Sequence, residues 1–401
     1  MNGKSKNDYD VCIVGGLGHV GLPLGISLSN VGKNVVLYDI DQTTIDKISR
    51  GKMPFLETDA EVILKNVIGK KLHISSDKNV IKDSNFVIIV IGTPIDEHLN
   101  PNFTLFKNLF EEVIDFITDE QHMILRSTVF PGTTEKIKEY LEAKGKETKL
   151  SFCPERIAQG KAIEELRYLP QIVAAFDDTS LEEAKELFSS LTEDILVLTP
   201  VEAELAKLFT NTWRYLQFSI ANYFYQITTQ NNLDFYKIYD AITYNYPRTK
   251  NFPAAGFAAG PCLLKDTMQL VAYSNNSFFM GHAAMLVNEG LPNFIVQRLK
   301  EKYVIKTKTV GILGMAFKAN NDDKRESLSY KLKKILEMEA KKVICSDEYI
   351  QEINFISSKE LIKDSDIIIL ATPHKEYVGL EIGQEKILVD PWNFYGKGGL
   401  F

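Results

Sequence analysis

The residues with the most chemical promise surround Cys262, in residues 256–266, GFAAGPCLLKD. Two glycines and a proline shape a loop just before the thiol, and Lys265 and Asp266 follow within one helical turn. A thiol at the start of a helix is pushed toward thiolate. A nucleophile is one reading of this spacing, and a buried structural cysteine is the other. A second polar pair, Lys207 and Asn211, stands four residues apart in EAELAKLFTN and so shares one helix face. A Lys and an Asn aimed at one site can hold an oxyanion or orient a water. Without such a site they are a solvated helix face.

Residues 16–21 read Gly16-Leu17-Gly18-His19-Val20-Gly21, a G-x-G-x-x-G that follows an apolar strand pattern and opens a helix. Gly16 and Gly18 are expected to allow a tight turn and close approach of the backbone to a pyrophosphate. Gly21 is expected to let the helix pack closely on the sheet. The helix start, with His19 and Val20, offers free N–H groups to phosphates. A second strand ends in Asp39, whose carboxylate can accept from the adenosine ribose hydroxyls and would repel a 2′-phosphate. Residues 40–44 supply no Lys or Arg to neutralise one, so NAD is expected rather than NADP. Gly92-Thr93-Pro94 and Ser127-Thr128-Val129 follow later predicted strands, at the ends that face the cofactor crevice in such folds.

These groups need a frame. Short apolar runs at 10–15 (DVCIVG), 34–39 (NVVLYD), 86–91 (FVIIVI) and 123–126 alternate with helical patterns, the mark of a parallel sheet covered on both faces. The plan repeats near the C-terminus at 308–314 (KTVGILG) and 343–347 (VICSD). Residues 82–94, KDSNFVIIVIGTP, are echoed by 363–373, KDSDIIILATP. Between the repeats, Thr199-Pro200-Val201-Glu202 is a helix start, and no Pro or Gly interrupts the pattern to about residue 231. Thirty helical residues span about 45 Å, enough for a spine joining two domains, with apolar faces that can bury against a second subunit. The expected fold is α/β, two Rossmann-like doubly wound domains joined by a long-helix central domain, with boundaries at 1–198, 199–300 and 301–401.

Composition fits. The 401 residues are 45% apolar and 25% charged, ordinary for a folded protein. A net charge of −7 argues against a nucleic-acid partner. The four cysteines, Cys12, Cys153, Cys262 and Cys345, show no metal-ligand spacing and favour a reducing cytoplasm over disulfides. The N-terminal residues lack a signal-peptide pattern, and no apolar run approaches the ~20 residues of a membrane span.

Taken together the motifs resemble the UDP-glucose/GDP-mannose dehydrogenases, the nucleotide-sugar 6-dehydrogenases. The matching stretches are 18–23 (GHVGLP), 127–132 (STVFPG), Pro154-Glu155, 203–211 (AELAKLFTN), 260–266 and 314–327 (GMAFKANNDDKRES), in the family's order. The resemblance implies two successive NAD-dependent oxidations of a UDP-sugar C6 hydroxyl, with Cys262 holding the aldehyde as a thiohemiacetal and then a thioester. It implies that Lys207 stabilises oxygen charge and that Asn211 and Asp266 position water, with Asp266 or Glu155 as the base. It further implies that Lys318, Lys265, Arg156 and a loop from Phe252 to Gly256 bind substrate. By the same resemblance Arg248 reaches the substrate of a neighbouring subunit in a homodimer, Arg325 approaches NAD, and the product feeds polysaccharide biosynthesis. Three positions depart from the family: Gln159 replaces a second Glu, Thr44 replaces a basic residue near the ribose, and Tyr223 replaces a Glu. Pro-Glu-Arg resembles the branch acting on UDP-N-acetylhexosamines, whereas Leu264-Lys265-Asp266 resembles the UDP-glucose branch. Two alternatives stand beside this reading: a two-electron dehydrogenase of the 3-hydroxyacid or 6-phosphogluconate kind, and a relative that binds nucleotides without catalysis.

Overall fold

The computed structural model describes residues 8–92 and 103–397. The chain divides into two compact units, residues 1–209 and 210–401, and the boundary falls within the helix Pro200–Gln230.

In the first unit eight strands form one sheet. They are β1 (Tyr9–Val14), β2 (Val35–Tyr38), β3 (Leu72–Ser75), β4 (Ser84–Ile89), β5 (His122–Leu125), β6 (Lys149–Phe152), β7 (Gln171–Ala175) and β8 (Ile195–Leu198), in the order β3-β2-β1-β4-β5-β6-β7-β8. Every neighbouring pair is parallel except β6 and β7. Alternation along β1 shows why its run is continuously apolar. Val11 and Ile13 pack into one core with Leu24, Val35 and Leu37, while Cys12 and Val14 pack into another with Val36, Val87 and Ile89. A strand buried on both faces has no polar side to show. Strand order reverses at β1, so a crevice opens beyond the ends of β1 and β4, the usual ligand position in such sheets.

The second unit carries a smaller parallel sheet of β9 (Thr309–Leu313), β10 (Lys342–Ser346), β11 (Ile367–Leu370) and β12 (Ile387–Val389), in the order β10-β9-β11-β12. β9 lies between β10 and β11 as β1 lies between β2 and β4. The echo of 82–94 in 363–373 therefore reflects equivalent strands, β4 and β11. The two-faced burial recurs: Val310, Ile312, Ile367 and Ile369 share one core, and Leu313, Ile344, Ile368 and Leu370 another.

The helical stretch between the sheets begins as expected. The Glu202 carboxylate reaches back and accepts from the Thr199 N–H at 2.9 Å and the Thr199 hydroxyl at 2.7 Å. Further helices span Phe235–Thr243, Leu263–Tyr273 and Phe279–Lys302. Among the described residues no helix is long and apolar enough to cross a membrane.

Candidate active site

Cys262 caps the N-terminus of the helix Leu263–Tyr273, and it is exposed. The other three cysteines, Cys12, Cys153 and Cys345, are buried, and burial pushes each thiol up to about 12. Only Cys262 is therefore both reachable and placed where backbone N–H groups favour negative charge. One turn later the Asp266 N–H donates to the Cys262 carbonyl at 2.9 Å. The Asp266 side chain is fully buried. Asn211 donates from its amide nitrogen to Asp266 Oδ2 at 2.6 Å, and the Lys265 ammonium lies 2.6 Å from Oδ1. The expected partnership of Asn211 and Asp266 is thus a direct hydrogen bond between two helices. Lys207, also buried, sits one turn before Asn211 on the helix Pro200–Gln230.

The loop leading to Cys262 is fixed at both ends. Gly256 donates its N–H to Asn222 Oδ1 at 2.8 Å, and Asn222 in turn donates to Asn288 Oδ1 at 2.9 Å. Gly256 has a φ of +151° and no room for a side chain, since a Cβ would lie 2.4 Å from the Trp392 ring. At Gly260, with φ +108°, a Cβ would lie 2.6 Å from the Phe317 ring, and the Gly260 N–H donates to the Glu326 carbonyl at 3.3 Å. Trp392 and Phe317 are not legible as loop supports in the sequence, because both come from the distant 311–397 stretch. Phe252 packs against Tyr239 and Phe224, with ring centroids 5.8 and 5.9 Å away. The Arg325 guanidinium is clamped by Asp323 through three hydrogen bonds of 2.6 to 3.0 Å, which push its pKa up. Lys318 leans over the Phe317 ring at 5.8 Å. Arg248 is exposed and donates to the Tyr246 hydroxyl at 2.9 Å.

In the first unit the glycine fingerprint divides its work differently from expectation. The tight turn belongs to Gly15, at φ +75°. Gly16 is needed because a Cβ there would meet Leu37 and the Ile13 carbonyl at 2.8 Å, so it clears the neighbouring strands. Gly18 is exposed, and a Cβ there would meet nothing nearer than the Gly15 carbonyl at 4.0 Å, which leaves its backbone open to a ligand. Gly21 sits against Gly16 itself, where a Cβ would lie 2.7 Å away, and brings the helix Gly21–Asn30 onto the turn. Val20 is that helix's N-cap, and His19 stacks on Phe55 at 3.9 Å. Asp39 accepts from the Leu17 N–H at 3.2 Å and from the Ile40 and Asp41 N–H groups at 2.8 and 3.2 Å, which places its carboxylate on the fingerprint loop. An open glycine, a helix N-terminus and a carboxylate on one crevice fit NAD. Thr44 is occupied locally, bonding Asp41 at the start of its helix. Thr128 lies half-buried just beyond β5; Thr93 and Pro94 lie outside the described residues.

Glu155 is buried beside Arg126, with which it forms an ion pair. Its other oxygen accepts from the Arg156 and Ile157 N–H groups at 2.7 and 3.0 Å. Both oxygens therefore help to hold the Pro-Glu loop. Arg126 also donates to the Cys153 carbonyl and to Gln171, each at 3.0 Å. It is fully buried, and nothing in its sequence context marks it, because its partners lie 27 to 45 residues away. Arg156 donates to the Pro170 carbonyl, and burial lowers its pKa. Glu204 lies within the 203–211 stretch, but nothing there marks its own contacts. It accepts from the Gly132 and Thr134 N–H groups at 2.5 and 2.8 Å, fixing the loop after Thr128 to the long helix.

A dinucleotide fingerprint on one doubly wound sheet, a second nucleotide-type sheet and an exposed thiol at a helix start define an NAD-dependent dehydrogenase of the nucleotide-sugar kind. The chain belongs to the UDP-glucose/GDP-mannose dehydrogenase family. The family's NAD binding domain matches residues 9–192, its central domain 201–289 and its UDP binding domain 311–397. The chain is 30% identical to a UDP-N-acetyl-D-mannosamine dehydrogenase of Pyrococcus horikoshii, over 94% of each chain. It is 28% identical to an enzyme of the same name from Methanocaldococcus jannaschii, over 94% of this chain and 87% of that one. Among solved structures, the UDP-N-acetylmannosamine dehydrogenase of Pyrococcus horikoshii superposes with a TM-score of 0.88 at 27% identity, covering 96% of this chain and 95% of that one. A UDP-glucose dehydrogenase from Pyrobaculum islandicum shares the fold, with a TM-score of 0.87 at 23% identity over 98% and 96% of the two chains.

Proposed function

We propose that the protein oxidises the C6 hydroxyl of a UDP-N-acetylhexosamine, with UDP-N-acetylmannosamine as the favoured sugar, to the carboxylate. The observation that carries the chemistry is Cys262, exposed at a helix N-terminus one turn from the buried Asn211–Asp266 pair. NAD, when bound at the fingerprint, accepts one hydride in each of the two oxidations. The first oxidation leaves an aldehyde. The Cys262 thiolate adds to its carbonyl carbon, and the oxygen takes a proton, giving a thiohemiacetal. Loss of hydride and a proton gives the thioester. Water adds to it, the C–S bond breaks, and the carboxylate and thiol are released. In sum, one alcohol, one water and two NAD⁺ give one carboxylate, two NADH and three protons. Lys207 is suited to stabilise the oxygen charge of the tetrahedral species. Asp266, oriented by Asn211, is suited to take the proton from the attacking water. Glu155 is assigned the positioning of Arg156 and the loop through Gln159.

The sugar follows from two supports. Pro154-Glu155-Arg156 has the pattern of the N-acetylhexosamine branch, and the relatives from Pyrococcus and Methanocaldococcus carry the N-acetylmannosamine name. Lys318, Lys265, Phe252 and Gly256 are assigned to the UDP-sugar and Arg325 to NAD. Four cysteines outside any disulfide and a dependence on NAD favour the cytoplasm, where the product would supply polysaccharide synthesis. The test is NADH release across UDP-glucose, UDP-N-acetylglucosamine, UDP-N-acetylmannosamine, UDP-N-acetylgalactosamine and GDP-mannose. The highest kcat/KM is expected with UDP-N-acetylmannosamine. A preference for UDP-glucose would contradict the assignment of the sugar.

A further inference from the structure

The two sheets place a carboxylate at the same point of the same turn and use it in opposite ways. In the first unit Gly15, at φ +75°, donates its N–H to the Tyr38 carbonyl at 3.0 Å, and Asp39 follows Tyr38. In the second unit Gly314, at φ +88°, donates to the Ser346 carbonyl at 2.9 Å, and Asp347 follows Ser346. Asp39 stays at the crevice, half-buried. The Asp347 side chain is fully buried. Its Oδ2 accepts from the Met315 and Ala316 N–H groups at 2.5 and 2.9 Å and meets His374 Nε2 at 3.0 Å. Its Oδ1 accepts from the Tyr349 and Ile350 N–H groups at 2.8 and 2.9 Å. Five donors fill the lone-pair directions of one carboxylate. Met315, fully buried, follows Gly314 in the chain as Gly16 follows Gly15. The group that could meet a ribose has been turned inward and made part of the loop's foundation.

His374 completes that foundation. The Asn320 N–H donates to His374 Nδ1 at 2.9 Å, so Nδ1 must lack a proton and Nε2 must carry one, which it donates to Asp347. Asn320 holds a left-handed backbone at φ +55°, and its side-chain oxygen accepts from the Lys375 N–H at 2.9 Å. At the other end of the loop the Thr372 hydroxyl donates to the Ala316 carbonyl at 2.6 Å. The segment 372–375 therefore grips residues 316 and 320, and Lys318 lies midway between the two grips. Phe317, in the same span, covers Gly260 two residues before Cys262.

We infer that His374 is a positioning residue for substrate: through Asn320 and Asp347 it fixes the loop that presents Lys318, and so sets affinity for the uridine diphosphate part of the UDP-sugar. This rests on the assignment of Lys318 to UDP. His374 touches no substrate atom, and its influence passes through backbone geometry alone. Replacing His374 removes the acceptor of the part-buried Asn320 N–H bond and frees the turn at Asn320. Asp347 keeps four backbone donors, so the sheet itself survives.

The experiment titrates UDP, and separately NAD, into the full chain and its variants by calorimetry. His374→Ala is expected to weaken UDP by about tenfold or more and to raise KM for the UDP-sugar in step, with the NAD Kd held within about twofold. His374→Asn keeps an acceptor oxygen near the Nδ1 position and is expected to recover most of the UDP affinity. His374→Gln places its amide near Nε2 instead and is expected not to. Should the Ala variant fail to fold, the contrast between Asn and Gln carries the same test. Wild-type UDP affinity in the Ala and Gln variants would overturn the inference, as would equal losses of UDP and NAD binding. Failure of the wild-type chain to bind UDP would overturn the UDP assignment itself, a result distinct from equal binding by wild type and variants.

Discussion

Asp266 is the residue whose surroundings say most about the second half of the reaction. A fully buried carboxylate is costly unless it is paired and hydrogen-bonded. Here Asn211 and Lys265 supply those partners at 2.6 Å each. Asp266→Asn keeps the shape and removes the carboxylate proposed as the base. Hydrolysis of the thioester should slow by about 10²–10⁴-fold, while the burst of NADH formed before hydrolysis persists. Stopped-flow absorbance reads both, and loss of the burst together with turnover would count against a base acting only on water. At this scale the sequence is informative where chemistry is local. Cys262, Asp266, Lys207 and Asn211 announce themselves by type and spacing within two short stretches. Arg126, Glu204 and His374 do not, because their partners lie on distant strands and loops and the motifs beside them say nothing of those contacts.

Elements decide how the thiol is presented. The loop 256–262 is held by a polar relay from the long helix, Asn222 to Gly256, and by two rings, Trp392 and Phe317, pressed on its glycines. Gly256→Ala would drive a methyl into the Trp392 ring and strain a φ of +151°. KM for the UDP-sugar is expected to rise by about tenfold or more, since the shift of a binding loop by even ~1 Å is costly. NAD affinity is expected to stay unchanged. Kinetics equal to wild type would show that the loop does not carry substrate. The strands read as apolar runs are legible to within two residues, because buried parallel strands are continuous in their apolar character. The fingerprint glycines are legible as a motif but not in their separate duties. Which glycine faces a strand and which faces open space depends on where Leu37 and Ile13 lie, and that is a property of the folded sheet.

The whole molecule shows one more surface with a use. Along the second unit's part of the long helix, Trp213, Ile220, Tyr223, Phe224 and Ile227 are 42 to 60% exposed and recur at helical spacing. Large apolar side chains at that density favour a partner; a second copy of this chain is the partner proposed, with the exposed Arg248 proposed to reach its substrate. Tyr223 then reads as part of an apolar seam, where a Glu would have been polar. Light scattering is expected to give twice the mass of the 401-residue chain, falling to a single mass in Trp213→Glu. A monomeric wild type would contradict the dimer. If Cys262 keeps the aldehyde bound between two oxidations, as proposed, the ratio of cofactor reduced to sugar consumed reveals it. With limiting UDP-sugar the wild-type protein should yield two NADH per sugar, with the uronate as the only released product and no free aldehyde. One NADH per sugar, or the same yield of two from Cys262→Ala, would contradict it.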